Sequence, residues 1–503
     1  MATATRTSGD VSTRYEPVIG LEVHAQLRTA TKIFCSCRNR FGDAPNTNVC
    51  PVCLGLPGAL PVLTRAAVSL ALRAALATDC AAHATSIFAR KNYFYPDLPK
   101  GYQISQYERP LATGGHIEIP AGAGAFRRVR IDRIHMEEDA GKLLHEGLSW
   151  SAEKSGVDFN RSGVPLIEIV SAPDLHSAEE AHDYLTALKA VLLYAGVSDC
   201  NMEEGSLRCD ANVSVRPRGT ETLGTRAEIK NLNSFRNVAR AIDHEIARQS
   251  ALLSAGGRVV QETRLWNADR GETFSMRSKE DAQDYRYFPE PDLPPLLVDS
   301  EWLQEVRASL PELPAAKRRR FVAAYSLPEY DAGVLTLAPE VADYFEEVAR
   351  ESGNAKAASN WVMTEVLRKV KDDDRPLAAS AVAPARLAEL VKLVDGGAIT
   401  GTSAKVVFER MWTSGEDARR IVEREGLAQV SDEGAIEAAI AEVVAASPEQ
   451  VATYRKGKTS TLGWFVGQVM RKTGGKANPQ LVNALLKKTL EGGQAGGDNT
   501  KEL

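Results

Sequence analysis

The 503-residue chain carries no long apolar run, no phosphate-binding loop and no surplus of positive charge. No uninterrupted apolar stretch approaches the roughly 20 residues that cross a bilayer. The opening MATATRTSGDVSTRYEP has no apolar core of the kind a secretory signal needs. Both absences lead us to expect a cytoplasmic protein. Lys and Arg total 61 against 66 Asp and Glu, a net charge of -5, so the chain is no polycation and any nucleic-acid contact must come from a local patch. No G-x-x-x-x-G-K-[ST] run occurs; the closest, EEDAGKLL, lacks the first glycine and the Ser/Thr. No G-x-G-x-x-G follows a strand either. If the protein uses a nucleotide, it does not hold it on a helix N-terminus. Cysteine is scarce, at seven residues, which argues against a disulfide framework in a reducing compartment.

Those few cysteines are unevenly placed. Four fall within CSCRNRFGDAPNTNVCPVC, as Cys35 with Cys37 and Cys50 with Cys53. The connecting loop is rich in Gly, Pro, Asn and Asp and can turn the two pairs toward each other. Zinc favours such a tetrahedron of thiolates, and four cysteine ligands leave no open position, so the metal would be structural. Cys80, Cys200 and Cys209 are scattered and read as small buried side chains.

The texture changes along the chain. Residues 1–14 and 493–503 read as disordered. From Val18 to Pro289 the pattern is mainly strands and turns. PEPDLPPLLV (289–298), with four prolines, marks a boundary. Beyond it, Ala, Leu and charged residues recur at helical spacing. We expect an α+β protein: a sheet-rich region over 15–295, a helical domain over 296–405 and a small helical tail domain over 406–492. Helices with defined ends are expected at 177–196 (Ser177 and Glu180 at capping-box spacing), at 234–257 and at 478–492, with Asn478 as cap.

Several strands alternate strictly. In VIGLEVHAQL, Ile19, Leu21, Val23, Ala25 and Leu27 share one face, while Glu22, His24 and Gln26 share the other. In SLRCDANVSV, Arg208, Asp210 and Asn212 lie opposite Leu207, Cys209, Ala211 and Val213. RVRIDRIHMEED aligns Arg133, His135 and Glu137, with Glu138 and Asp139 following at the turn, and RAEIKNLNSF pairs Glu228 with Lys230. One polar strand face is ordinarily a solvated surface. Four of them, with a histidine beside carboxylates, read as ligands for a hard cation such as magnesium, which bridges nucleotide phosphates.

Between Val451 and Leu490 there are eight Lys or Arg and no Asp or Glu. Lys456, Lys458, Arg471, Lys472 and Lys476, interleaved with Tyr454, Trp464 and Phe465, suit an RNA backbone.

The runs VIGLEVHAQL, CSC…CPVC, KNYFYPDLPKGYQISQY, RIHMEEDAGK, DFNRSGVPLIEIVSAPD, EEGSLRCDANVSVRP and EIKNLNSFRNV give the chain a family resemblance. It resembles the B subunits of aspartyl/glutamyl-tRNA(Asn/Gln) amidotransferases from about residue 14 to about 490, and TLGWFVGQVMRKTGGKANP is similar to their tail domain. Its length matches the bacterial three-subunit type. The resemblance implies a glutamine-synthetase-like cradle of mostly antiparallel sheet with a zinc lobe, and a tail that contacts tRNA. It implies ATP-dependent phosphorylation of the side-chain carboxylate of misacylated Glu-tRNA(Gln) or Asp-tRNA(Asn), followed by amidation. The ammonia comes from a glutaminase, the A subunit, with a small C subunit completing the heterotrimer. The residues expected to act are Glu22, His24, Glu137 and Glu138 around Mg2+, Arg208 and Lys230 on the phosphate of ATP, and Asp210 and Glu228 orienting the cations or holding a second ion. Cys35, Cys37, Cys50 and Cys53 would hold Zn2+, and Lys456, Lys458, Arg471, Lys472 and Lys476 the tRNA. The rival reading is a non-catalytic zinc-containing RNA-binding or assembly protein.

Overall fold

A computed structural model describes residues 14–122, 124–145, 154–277, 285–429 and 432–491. The expected disorder at 493–503, and at 1–14 save Arg14, lies outside the described residues, as does Gly492. The chain divides into two units, one reaching to Arg319 and including Thr336–Ala338, the other formed by Arg320–Leu335 and the chain from Pro339 onward.

The first unit is built on a ten-stranded sheet. Its main strands are β1 (Tyr15–Gln26), β4 (Phe126–Glu138), β5 (Pro165–Ser171), β6 (Leu207–Pro217), β7 (Ala227–Leu232), β8 (Thr263–Asn267) and β9 (Glu272–Arg277); β2 (Phe88–Asn92) and β3 (Tyr102–Gln106) lie in a separate three-stranded sheet. The large sheet runs β9-β8-β7-β6-β1-β5-β4 and continues into the short strands Ala112–Thr113 and Ala81–Ala82, with His116–Pro120 also on β4. Its pairings are antiparallel except β7 with β8. Those two are joined by a helix, as parallel neighbours need a crossover.

Alternation decides the layering. Ile19, Leu21, Val23 and Ala25 of β1 are fully buried, as are Cys209, Ala211 and Val213 of β6. Helices α1 (Arg65–Ala77), α2 (Ala178–Tyr194) and α3 (Phe235–Ser254) contribute Val68, Leu72, Leu185, Leu188, Val238 and Ile242 to the same core. Burial of each large aliphatic side chain stabilises by about 1.5–3 kcal/mol, which fixes the strand register. A one-residue slip would turn the charged face into this core. Ser177 caps α2 by accepting from the Glu180 backbone N–H, and Ser234 caps α3 by accepting from that of Asn237. The proline-rich 289–298 stretch is stitched to the first unit, Phe288–Pro289 pairing with β2 and Leu296–Leu297 with Thr85–Ser86.

Among its described residues the second unit is helical. Its last four helices, Glu433–Ala445, Pro448–Arg455, Thr461–Lys472 and Pro479–Glu491, enclose a core of Ile436, Ile440, Phe465, Val469, Val482 and Leu486. Asn478 caps the last of them, accepting from the Gln480 N–H at 2.9 Å. No helix among the described residues is long and apolar enough to cross a membrane.

Candidate active site

The strand register assembles one polar face. Arg208 of β6 is opposite His24 of β1, His24 is opposite Glu168 of β5, and Glu168 is opposite His135 of β4. Residues paired across a sheet project to the same side. Arg208, His24, Glu168 and His135 therefore form a row, with Asp210 and Glu22 in the next.

The row converges on a cluster. His24 Nε2 lies 3.5 Å from Glu137 Oε1 and 3.3 Å from Glu168 Oε2. His135 Nε2 is 3.2 Å from the same Glu168 oxygen, and its Nδ1 is buried without a partner. Ser105 of β3 donates to Glu137 Oε2 at 3.2 Å. One ligand atom from each of His24, Glu137 and Glu168 falls within 4.8 Å of the others, a spacing one cation can bridge. Burial depresses the His24 pKa, but hydrogen bonding and charge from Glu168, joined by Glu137, overcome this and push it up to about 9. Burial works against the Glu168 charge, yet His135 and His24 hold its carboxyl well below the usual range. Glu22 sits beside the cluster and receives a 2.9 Å hydrogen bond from Asn212. Burial first, and then the Glu168 charge, raise its pKa.

Glu138 is not brought to this face. Strand β4 continues through it, pairing with Pro165, so Glu137 and Glu138 point to opposite sides. Glu138 is buried, accepts from the Ile104 N–H at 2.9 Å and pairs with Lys100. Asp139, also buried, accepts from Gln26 at 2.7 Å and from Arg208 at 2.9 Å. Lys230 bridges Asp210 at 2.6 Å and Glu228 at 2.9 Å. Arg208 and Lys230 nevertheless keep over a third of their side chains exposed, at 38% and 37%. A cavity of about 360 Å³ adjoins Glu22, with Arg133, Arg226 and Asn212 on its polar side and Leu223 and Pro173 on its apolar side.

The four clustered cysteines converge as their spacing suggests, their sulfurs within 4.8 Å of one another, and all seven cysteines are free. The Cys50 N–H donates to Cys53 Sγ at 3.1 Å. The Cys35 thiol, helped by that N–H and by Lys32, overcomes burial and draws Cys53 down to about 4, whereas burial pushes Cys37 up to about 11. Lys32 is fully buried, its Nζ 3.6 Å from Cys53 Sγ and 3.2 Å from the Phe159 carbonyl. A buried ammonium against sulfur marks thiolate charge, and this donor set fits a soft tetrahedral cation such as zinc. The lobe abuts the back of β4. A Cβ on Gly163, whose φ is +82°, would sit 3.4 Å from Cys53 Cβ and 3.8 Å from Glu138 Oε2. Cys80, Cys200 and Cys209 are buried, as expected.

In the tail, Lys456, Lys458, Arg471 and Lys472 are exposed and Lys476 is half-buried. Lys472 is engaged by Glu442. The expected aromatic interleaving does not hold. Tyr454 and Phe465 belong to the tail core, where helical periodicity points them inward, and Trp464 alone of the three is exposed.

Glu168 is the cluster member that strand alternation does not announce. Its only signal is a lone carboxylate in the otherwise apolar run PLIEIV. Lys100 likewise becomes legible only through its partner Glu138, and Asp139, which the sequence groups with Glu137 and Glu138, is held by Gln26 and Arg208.

The sheet face gathers imidazoles, carboxylates and partly exposed cations, a set of groups able to hold a metal ion and to meet anionic groups, as in enzymes that use metal-assisted chemistry. Residues 17–304 match the family described as the GatB/GatE catalytic domain, and residues 343–490 match the GatB domain. The aspartyl/glutamyl-tRNA(Asn/Gln) amidotransferase B subunit of Trichlorobacter lovleyi is 57% identical over 479 residues, 95% of this chain and 100% of that protein. The protein of the same name from Carboxydothermus hydrogenoformans is 55% identical over 476 residues, 95% and 99% of the two chains. That from Chlorobium luteolum is 56% identical over 479 residues, 95% and 100%. The chain belongs to the family of aspartyl/glutamyl-tRNA(Asn/Gln) amidotransferase B subunits.

Proposed function

We propose that this chain is the B subunit of a cytoplasmic amidotransferase, working with a glutaminase (the A subunit) and a small C subunit. It amidates the side-chain carboxylate of Glu-tRNA(Gln), Asp-tRNA(Asn) or both at the expense of ATP. The observation that carries the reading is the convergence of His24, Glu137 and Glu168 on a face that also presents Arg208 and Lys230.

A carboxylate is a poor electrophile because its leaving group would be oxide. Transfer of the γ-phosphoryl group of ATP to a carboxylate oxygen releases ADP and gives an acyl phosphate. Ammonia then attacks the acyl carbon, inorganic phosphate departs and a proton is lost. Phosphoryl transfer demands positioning and charge neutralisation more than covalent catalysis. His24, Glu137 and Glu168 would hold Mg2+, which when bound neutralises phosphate oxygens. Arg208 and Lys230, whose side chains are each over a third exposed, would meet the phosphoryl group. Asp139 orients Arg208, while Asp210 and Glu228 orient Lys230. The cavity beside Glu22 would take part of the ATP molecule, with Arg133 and Arg226 in its lining available to phosphate oxygens. Within a glutamine-synthetase-like cradle, the thiol lobe with its Zn2+ is scaffold: its cysteines stand behind β4, away from the polar face. The tail cations Lys456, Lys458 and Arg471 bind the tRNA body.

The test uses the chain assembled with its A and C partners, supplied with ATP, magnesium, glutamine and Glu-tRNA(Gln). Wild type is expected to form amidated tRNA, and Glu137→Gln to lose at least ~100-fold, or ~2.7 kcal/mol in barrier terms. Equal rates would remove Glu137 from the site. No product from either protein would favour a non-catalytic RNA-binding role.

A further inference from the structure

The parallel pair of β7 and β8 sets Thr263 opposite Glu228, and Glu228 in turn stands opposite Asn212 of β6. Trp266 of β8 is buried in the core, so alternation puts Arg264 on the core side and Thr263 on the reaction face. The Thr263 hydroxyl donates to Glu228 Oε2 at 2.8 Å. The other oxygen of that carboxylate, Oε1, lies 2.9 Å from Lys230 Nζ, which Asp210 holds from β6 at 2.6 Å. One chain of contacts thus runs from Thr263 through Glu228 and Lys230 to Asp210, across three strands.

The core side of β8 is secured separately. Glu245 of α3 is fully buried. It accepts from Thr273 of β9 at 3.1 Å and from Gln249 at 2.8 Å, and Arg264 Nε lies 3.5 Å away. Arg264 donates to the Thr273 carbonyl at 2.8 Å, and Gln249 donates to the Val213 carbonyl of β6 at 2.9 Å. Helix α3 thereby ties β6, β8 and β9 together from behind, through buried groups that are costly to separate. The Thr263 hydroxyl is not needed to keep its strand in place. What it holds is a carboxylate: with Oε2 fixed, Glu228 cannot turn about its last bond, and Oε1 stays on the lysine.

We propose that Thr263 is a positioning residue for phosphoryl transfer, acting through Glu228 to aim the Lys230 ammonium at the transferring group. Without the hydroxyl, Glu228 turns and the ammonium is left to Asp210 alone. The proposal rests on the amidotransferase reading, in which Lys230 meets that group. It also gives β8 a task in the reaction, although none of its residues belongs to the His24, Glu137 and Glu168 cluster.

The test measures amidation of Glu-tRNA(Gln) by the enzyme assembled with its A and C partners. Thr263→Val keeps the branched shape that suits a strand and removes only the hydroxyl. It is expected to lower kcat at saturating ATP about tenfold, the loss of one hydrogen bond to a charged group. The KM for Glu-tRNA(Gln) should stay within about twofold. Thr263→Ser keeps the hydroxyl and should remain within about threefold of wild type. In a Lys230→Met background, Thr263→Val should cost nothing further, because no ammonium remains to be aimed. An unimpaired Thr263→Val would overturn the proposal. Equal losses in Thr263→Val and Thr263→Ser, or a Thr263→Val protein that unfolds early on heating, would make Thr263 a packing residue and overturn it too. Losses that multiply in the double variant would show that Thr263 does not act through Lys230. A wild-type enzyme that formed no amidated tRNA would bring down the amidotransferase reading itself, whereas the variant comparisons bear on Thr263 alone.

Discussion

The four thiols come from residues 35–53, whereas His24, Glu137 and Glu168 come from three strands spread across the sequence and meet only because the register of β1, β5 and β4 is fixed. The first cluster is a local object, held by turns and a buried lysine. The second is a product of the whole sheet and of the core beneath it. The two stand back to back across β4, with Glu138 facing the lobe and Glu137 facing the cluster. Neighbouring carboxylates on one strand should therefore fail in different ways when altered.

The largest effect is expected from Glu138→Gln. The substitution strands a buried Lys100, and breaking one partner of a buried pair costs about 3–5 kcal/mol. Denaturant unfolding should show that loss, whereas Glu137→Gln should lower amidation with far less change in stability. If both variants lost rate alone, the two faces of β4 would not be functionally distinct, and the comparison would break.

Next comes Glu168→Gln, which removes a carboxylate shared by two histidines. Amidation should fall at least ~100-fold, ~2.7 kcal/mol, with a higher magnesium requirement. A magnesium titration of initial rates checks both. A fall in rate with an unchanged magnesium requirement would make Glu168 an orienting group for His24 and His135 and not a ligand.

The thiol lobe is probed by Lys32→Met. Loss of the ammonium beside Cys53 should cost about 1–3 kcal/mol, the usual consequence of removing a charged hydrogen-bond partner from a buried group. Zinc release to a coloured chelator should be about tenfold faster, and thermal unfolding should begin earlier. Unchanged release would mean that the four sulfurs need no cationic neighbour.

The same contrast explains what the sequence made legible. The cysteine spacing spoke for itself because its geometry is local. The alternation of β1 and β6 was equally plain, since Ile19, Leu21, Val23, Cys209, Ala211 and Val213 face one continuous core. Where β4 ends is not legible, and Glu138 reads as a turn residue beside Glu137. One further paired residue, opposite Pro165, reverses the side on which a carboxylate falls. Glu168 is hidden because β5 is buried almost throughout, so no polar alternation announces its one charge. Groups such as Asp139 and Lys100 take their meaning from partners distant in sequence, which composition and spacing do not encode.

The smallest effects belong to the tail, where the charges are exposed and act through long-range attraction. Each phosphate contact steepens the fall of log affinity with log salt by roughly 0.7–0.9, the range between single strands and B-form duplex. Lys456→Ala, Lys458→Ala and Arg471→Ala should each weaken tRNA binding a few-fold and flatten that slope by about one. Lys472→Ala should do less, because its ammonium is already engaged by Glu442 and is only partly available to a phosphate. Glu442→Ala should then tighten tRNA binding by releasing Lys472. Filter binding across a salt series reads all five proteins. Equal losses at Lys472 and Lys456 would mean that the Glu442 pair opens freely in solution, as exposed ion pairs of marginal strength do. Unchanged affinity in every variant would leave tRNA recognition entirely to the sheet-bearing unit. The tail would then be a solvated helical module whose lack of acids has another cause.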